Sequence, residues 1–209
     1  MKPLLLLATL LSLSLAIPSQ AAPAAPPSPA SAPPLQHAVL GMGCFWCSQA
    51  LFEKFRGVEH ITCGYAGGTT ANPSYEDVST GTTGHAEVVD IAFDPSQITY
   101  AQLLDIFWDV HDPTTLNRQG NDEGTQYRSV ILYGNDEQKK EAEASLQAAQ
   151  KKSAAPLVTQ IVPLKAFYPA EDYHQDYYKK HPDAPYCLFV ISPKFHKLEK
   201  HADLLKAKP

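Results

Sequence analysis

Proline is unevenly spread along this chain, and that asymmetry decides where a fold can begin. Of 18 prolines in 209 residues, 8 lie before residue 35. Proline fixes its own φ and donates no backbone hydrogen bond, so a dense run of it opposes both helix and sheet. Residues 22–34 contain only Pro, Ala and Ser. Such a tract buries no core and favours extended, semi-rigid conformations, which makes it a linker. Ahead of it, Met1-Lys2-Pro3 supplies one positive charge, and residues 4–17 form a run of 14 Leu, Ala, Ser, Thr and Ile. Small residues at Ser19 and Ala21 then stand at the spacing of an A-x-A cleavage site. Fourteen residues fall short of the ~20 that span a bilayer. The expected organisation is a signal peptide over 1–21, a linker over 22–34 and a single domain over 35–209. That arrangement implies export to a periplasmic or extracellular space.

The remaining length holds one domain with enough apolar residues for a core, since 44% of the chain is hydrophobic. A net charge of −5 with no basic stretch argues against nucleic acid as a partner. No apolar run after the leader suggests a membrane span. Four cysteines are too few to staple a miniprotein and enough for redox chemistry. No surface for self-association can be read from the sequence, so a monomer is expected.

Residues 37–42 suit a buried strand, followed by a helix from about Cys44 in which Cys47, Leu51 and Phe55 recur every four residues. Residues 58–65 read as a strand. The glycines and threonines of 67–84 mark a long loop, of the kind that carries function. Val89, Ile91 and Phe93 alternate as in a strand with one buried face. Thr99 with Gln102 is a capping-box pattern ahead of an apolar stripe made by Tyr100, Leu103, Leu104, Phe107 and Trp108. After an irregular stretch over 112–125, a strand is expected at 128–133. Asn135 and Gln138 then cap a helix running to about Lys152. Further strands are expected at 157–162 and 186–191, and a solvated helix at 194–206. Irregular alternation of strands and helices points to an α+β fold, a central mixed sheet with packed helices.

The most informative stretch is Gly43-Cys44-Phe45-Trp46-Cys47. Glycine lets the strand turn sharply and sets Cys44 at the first turn of the next helix. There the unpaired N–H groups and the helix dipole should lower the thiol pKa. Two aromatic rings beside a thiolate form an apolar, polarizable pocket suited to a sulfur-bound methyl group. Cys47 lies one turn from Cys44. Alternatives stand beside a reactive cysteine: a structural disulfide, a thioredoxin-like disulfide oxidoreductase, or half a zinc site. Zinc is disfavoured because Cys63 and Cys187 complete no familiar ligand spacing. His174 and His181 also lack a third ligand, and residues 173–181 read as a surface helix with aromatic packing, so no metal is expected.

With the remaining motifs, the stretch resembles the A-type peptide methionine sulfoxide reductases, which reduce the S epimer of methionine sulfoxide. The likeness continues through Gly64-Tyr65-Ala66-Gly67-Gly68, Asn72-Pro73-Ser74-Tyr75 and Thr83-Gly84-His85-Ala86-Glu87-Val88-Val89. It goes on through His111-Asp112-Pro113-Thr114-Thr115, Arg118-Gln119-Gly120-Asn121-Asp122 and Gly124-Thr125-Gln126-Tyr127-Arg128-Ser129. Phe167-Tyr168-Pro169-Ala170-Glu171-Asp172-Tyr173-His174-Gln175 and Pro185-Tyr186-Cys187 complete it, so that it covers residues 37–200 in order.

The resemblance implies a ferredoxin-like α/β roll and a set of roles. Cys44 matches the nucleophile and Glu87 the acid catalyst. Tyr75, Asp122 and Tyr127 match residues that hold the sulfoxide oxygen and the substrate, and Phe45 and Trp46 match the methyl pocket. Without it, Glu87 would read as a solvent-facing strand residue and the tyrosines as packing. With it, a carboxyl walled by aromatics should have a raised pKa and stay protonated, able to make the sulfoxide oxygen leave. Cys44 would become a sulfenic acid, and a second thiol would close a disulfide that an external thioredoxin-like dithiol reduces. No cofactor is implied. Both Cys187, which matches the family's resolving cysteine, and Cys47, where many relatives have glycine, are candidates for that second thiol. Cys63 reads as a small buried residue. The expected substrates are free or protein-bound methionine-S-sulfoxide, and the expected role is repair of exported proteins.

Overall fold

The computed structural model describes residues 34–207. The expected signal peptide, and all of the linker but Pro34, lie outside the described residues. Eight strands and five α-helices follow in the order β1 (Gln36–Met42), α1 (Phe45–Phe52), β2 (Val58–Ala66), α2 (Tyr75–Ser79), β3 (Ala86–Phe93), α3 (Tyr100–Val110), β4 (Arg118–Gln119), β5 (Asp122–Glu123), β6 (Ser129–Tyr133), α4 (Asp136–Lys152), β7 (Gln160–Pro163), β8 (Phe167–Pro169) and α5 (Tyr177–Lys180). A π-helical turn, Cys187–Ile191, and a 3-10 segment, Ser192–Leu204, complete the domain.

Six strands form one mixed sheet in the order β7-β6-β1-β3-β2-β8, and β4 and β5 form a separate two-stranded ladder. All neighbours in the large sheet run antiparallel except β6 and β7, which are joined through α4 as a parallel crossover requires. This is the α+β architecture expected from the sequence. Period-two alternation divides the sheet's faces. Ala38, Leu40 and Met42 of β1 and Val89, Ile91 and Phe93 of β3 enter the large core beneath the helices. Val39, Val88, Val130 and Leu132 form a smaller cluster on the opposite face. Each fully buried Leu, Ile or Phe contributes about 2 kcal/mol. Glu87 shares the parity of Val89 and Ile91, so alternation alone turns its carboxyl toward the helices.

The capping signals are realised. Thr99 and Gln102 make the reciprocal capping box of α3, and Asn135 accepts from the Gln138 N–H at the start of α4. Asp136 and Glu137 in the first turn of α4, with Lys151 and Lys152 in its last, complement the helix dipole.

Five expectations need correction. The helix expected to include Phe55 stops at Phe52, and Phe55 instead bridges to Leu205. Residues 186–191 are helical rather than extended: Cys187 and Ile191, four apart, are buried while Leu188 and Phe189 are exposed, a helical face. The stretch 67–84 is interrupted by α2, which carries its own Ser74/Asp77 capping box. The strand expected over 157–162 begins at Gln160. The C-terminal stretch is a 3-10 segment broken at His201, with Leu198 and Leu204 buried, rather than a solvated helix. No helix among the described residues is long and apolar enough to cross a membrane.

Candidate active site

β1 delivers the chain to Gly43, whose φ of +93° only glycine adopts without strain. A Cβ there would also stand 2.6 Å from the Gln119 side chain. This turn sets Cys44 at the N-cap of α1, as the strand–glycine–helix pattern predicts. Cys44 supplies no capping side-chain bond. Instead the Phe45 N–H donates to Glu87 Oε2 at 3.0 Å. A carboxyl on the sheet thus occupies the helix terminus that the sequence pattern assigns to the sulfur.

Glu87 is 3% exposed. Burial pushes its pKa up to about 8, opposed by the Phe45 N–H and reinforced by the charges of Asp122 and Cys47. It is therefore mostly protonated at neutral pH, and the reading of Glu87 as a solvent-facing strand residue does not hold.

Cys44, Glu87, Phe45, Trp46, Tyr75, Asp122 and Tyr127, drawn from five separate stretches of chain, line one cavity of about 190 Å³, together with Tyr186. That is below the ~300 Å³ of a typical drug-sized pocket and fits the tip of a side chain. A larger cleft of about 550 Å³ beside His37, Thr99 and Glu141 holds no cysteine. The aromatic wall is itself braced. Tyr177 stacks on Trp46 with centroids 3.7 Å apart and planes 8° apart, and Tyr186 meets Trp46 edge-on at 5.8 Å. Glu171 accepts from the Tyr75 N–H at 2.8 Å and from the Tyr65 hydroxyl at 2.9 Å, tying α2 to the sheet. Burial raises the pKa values of Tyr75 and Tyr127, so both keep their hydroxyl protons.

His174 departs from the surface helix expected of residues 173–181. It is 2% exposed, packed against Phe45, Trp46 and Tyr75 at centroid distances of 5.1, 5.5 and 4.5 Å. Neither ring nitrogen has a hydrogen-bond partner. Burial lowers its pKa, and the neutral ring backs the cavity wall. Among the described residues there is no group of three side chains able to hold a metal ion.

All four cysteines are free and buried. The lowered thiol pKa expected for Cys44 is not found. Burial, the hydrogen bond with Cys47 and the Glu87 carboxyl push it up instead. The lowered pKa falls on Cys47, at about 6, through the hydrogen bond from Cys44 and the ammonium of Lys194. Lys194 Nζ donates to Cys47 Sγ at 3.2 Å, and the Tyr186 hydroxyl lies 3.7 Å from the same sulfur while donating to Asp122 Oδ2 at 2.9 Å. The two thiols thus share one proton at neutral pH. Cys187 is fully buried, and burial raises its pKa. Cys63 is buried against Gln49 and the Phe45 carbonyl, as a small packing residue should be.

Sequence reasoning missed Tyr186, Lys194, Glu171 and the burial of His174. Tyr186 and Glu171 lie inside recognisable motifs without an assigned role. Lys194 carries no local signal, because its partner is 147 residues away. Chemically, the site combines a polarizable thiol pair, a buried proton donor and a small aromatic cavity.

A family model described as peptide methionine sulfoxide reductase matches residues 36–206. The chain is 57% identical over 173 residues to the peptide methionine sulfoxide reductase MsrA of Acinetobacter baumannii (strain AYE), covering 82% of this chain and 99% of that protein. Among solved structures, the reduced form of Mxr1 from Saccharomyces cerevisiae is similar with a TM-score of 0.70 at 36% identity, over 74% of this chain and 90% of that one. Mxr1 in complex with Trx2 is similar with a TM-score of 0.51 at 29% identity, over 69% and 85% of the two chains.

Proposed function

The chain belongs to the peptide methionine sulfoxide reductase family, and from that premise we propose that it reduces methionine-S-sulfoxide, free or within proteins, to methionine. The observation that carries this reading is the buried, protonated Glu87 facing the same small aromatic cavity as Cys44. The sulfoxide's methyl group packs against Phe45 and Trp46, and its oxygen faces Glu87, Tyr75 and Tyr127. Cys44 gives its proton to Cys47 as its sulfur attacks the sulfoxide sulfur. Glu87 protonates the oxygen, which passes to Cys44. Methionine leaves, Cys44 is a sulfenic acid, Cys47 is a thiol and Glu87 is ionised. The tyrosine hydroxyls stabilise charge on the oxygen as it moves.

Cys47 then closes the disulfide. It sits one turn from Cys44 and shares a hydrogen bond with it, whereas Cys187 stands on the π-helical turn with Cys47 rather than Cys44 as its thiol neighbour. Its proton returns to Glu87, its thiolate attacks the Cys44 sulfur, and the departing hydroxide recovers that proton and leaves as water. A thioredoxin-like protein dithiol reduces the disulfide, a partner suggested by the complex of the related Mxr1 with Trx2. The leader-like residues 1–21 support action outside the cytosol on exported proteins. The test is reduction of the separated S and R epimers of an N-blocked methionine sulfoxide with dithiothreitol. Turnover of S alone, abolished in Cys44→Ser, is expected. Insulin-disulfide reduction without sulfoxide turnover would replace this reading with general disulfide exchange.

A further inference from the structure

Lys194 stands on the 3-10 segment with its ammonium 3.2 Å from Cys47 Sγ, and it makes no other hydrogen bond or ion pair among the described residues. The groups that face Cys47 are few. Cys44 shares its helix, Glu87 approaches from β3, and Cys187 and Tyr186 come from the π-helical turn with Asp122 behind the tyrosine. Cys44, Cys187 and Tyr186 are neutral when protonated, and so is Glu87; the Asp122 carboxylate, and Glu87 once ionised, would repel a thiolate. The single Tyr186 hydroxyl proton is committed to Asp122, so the tyrosine cannot also donate to the sulfur. Lys194 is the only cation in contact with the pair among the described residues. It also lines a neighbouring groove of about 510 Å³ with Gln119, Asp122, Tyr186 and Phe189, outside the substrate cavity except at the two shared walls Asp122 and Tyr186.

We propose that Lys194 activates the recycling half of the reaction, holding Cys47 as the thiolate that closes the Cys44–Cys47 disulfide. The assignment rests on the reduction chemistry proposed above and adds to it the source of the thiolate's stability. In the closing step the ammonium faces the sulfur that must give up its proton to Glu87 and then attack Cys44. The S–S bond forms as the S–O bond breaks, and the oxygen leaves as water. Two electrons have then passed from the two thiols to the sulfoxide. A nearby opposite charge commonly moves a pKa by about 1 to 3. Without the ammonium, the Cys47 thiol should rise from about 6 to between roughly 7 and 9.

The experiment follows thiolate absorbance in the ultraviolet against pH for the reduced full chain, with Lys194→Met and Lys194→Arg beside it. Peptide mapping after one turnover with N-blocked methionine-S-sulfoxide, without reductant, identifies the disulfide. The expected result is a wild-type midpoint near pH 6, an upward move in Lys194→Met, and a midpoint close to wild type in Lys194→Arg. The rate of Cys44–Cys47 disulfide formation should follow the same pH shift. A midpoint unchanged in Lys194→Met would overturn the assignment, as would a pH-independent loss of rate in both variants, which marks a packing role. A mapped Cys44–Cys187 disulfide in the wild type would remove Cys47 as the resolving thiol and overturn the proposal from that side. Absence of methionine product from every protein, with thiolate midpoints as expected, would instead refute the reductase reading while leaving the Lys194–Cys47 ion pair standing.

Discussion

Replacing Glu87 by glutamine should slow the protein strongly and make it more stable. The amide keeps the side chain's shape and an oxygen to accept the Phe45 N–H, but cannot ionise. In the folded chain the Glu87 carboxyl titrates near 8, against an ordinary value of 4.5. Unfolded chain therefore loses this proton well before folded chain does, so the folded state is penalised as pH rises between those two values. At about 1.4 kcal/mol for each pH step, the penalty is under about 1 kcal/mol at pH 5 and about 3 kcal/mol at pH 7. The sign is opposite to that of a salt-bridged carboxylate, whose contribution is lost on acidification. Urea unfolding of wild type and Glu87→Gln, both reduced, at pH 5 and pH 7 measures the difference. The variant's advantage should grow by about 2 kcal/mol between the two pH values. An advantage equal at both would mean that Glu87 ionises alike folded and unfolded, and the proton-donor argument would fail.

The pH profile of sulfoxide reduction should rise through about 6, as the thiol pair loses a proton, and fall through about 8, as Glu87 does; Glu87→Gln should lose the alkaline limb and about a hundredfold or more in kcat. Gly43→Ala should cost about 1–3 kcal/mol by denaturant unfolding, because it forces a side chain to φ +93° and against Gln119. Trp46→Ala removes both a cavity wall and the stack on Tyr177; steady-state assay should show KM for the S-sulfoxide raised by about tenfold or more, the scale of losing an aromatic contact.

Much of the sheet could be read directly because its strands obey one rule. β1 and β3 alternate between two buried faces, and Thr99 and Asn135 announce their helices with side chains only a few residues from their targets. The run 186–191 defeats the same method. Six consecutive residues without alternation are equally consistent with strand or helix, and only tertiary packing chose the helical face of Cys187 and Ile191. Among the site residues, Cys44 and Glu87 could be located by motif, yet their electrostatics could not. The dipole of α1 alone would lower the Cys44 thiol, but Glu87 arrives from the sheet to take the Phe45 N–H, and burial outweighs what remains. Lys194 and His174 matter through neighbours far along the chain, and no local pattern encodes such contacts.

The two outer strands of the large sheet have a further consequence. β7 has four residues and β8 three, and each ends in proline, at Pro163 and Pro169. Such short, proline-terminated edges offer little backbone for an incoming extended peptide to pair with. The large sheet thus gives a protein client little main chain to pair with, and the contact left to it is one side-chain tip in a cavity of about 190 Å³. Selection then falls on how far an oxidised methionine protrudes from its own fold rather than on the residues around it, which favours partly unfolded clients over compact ones.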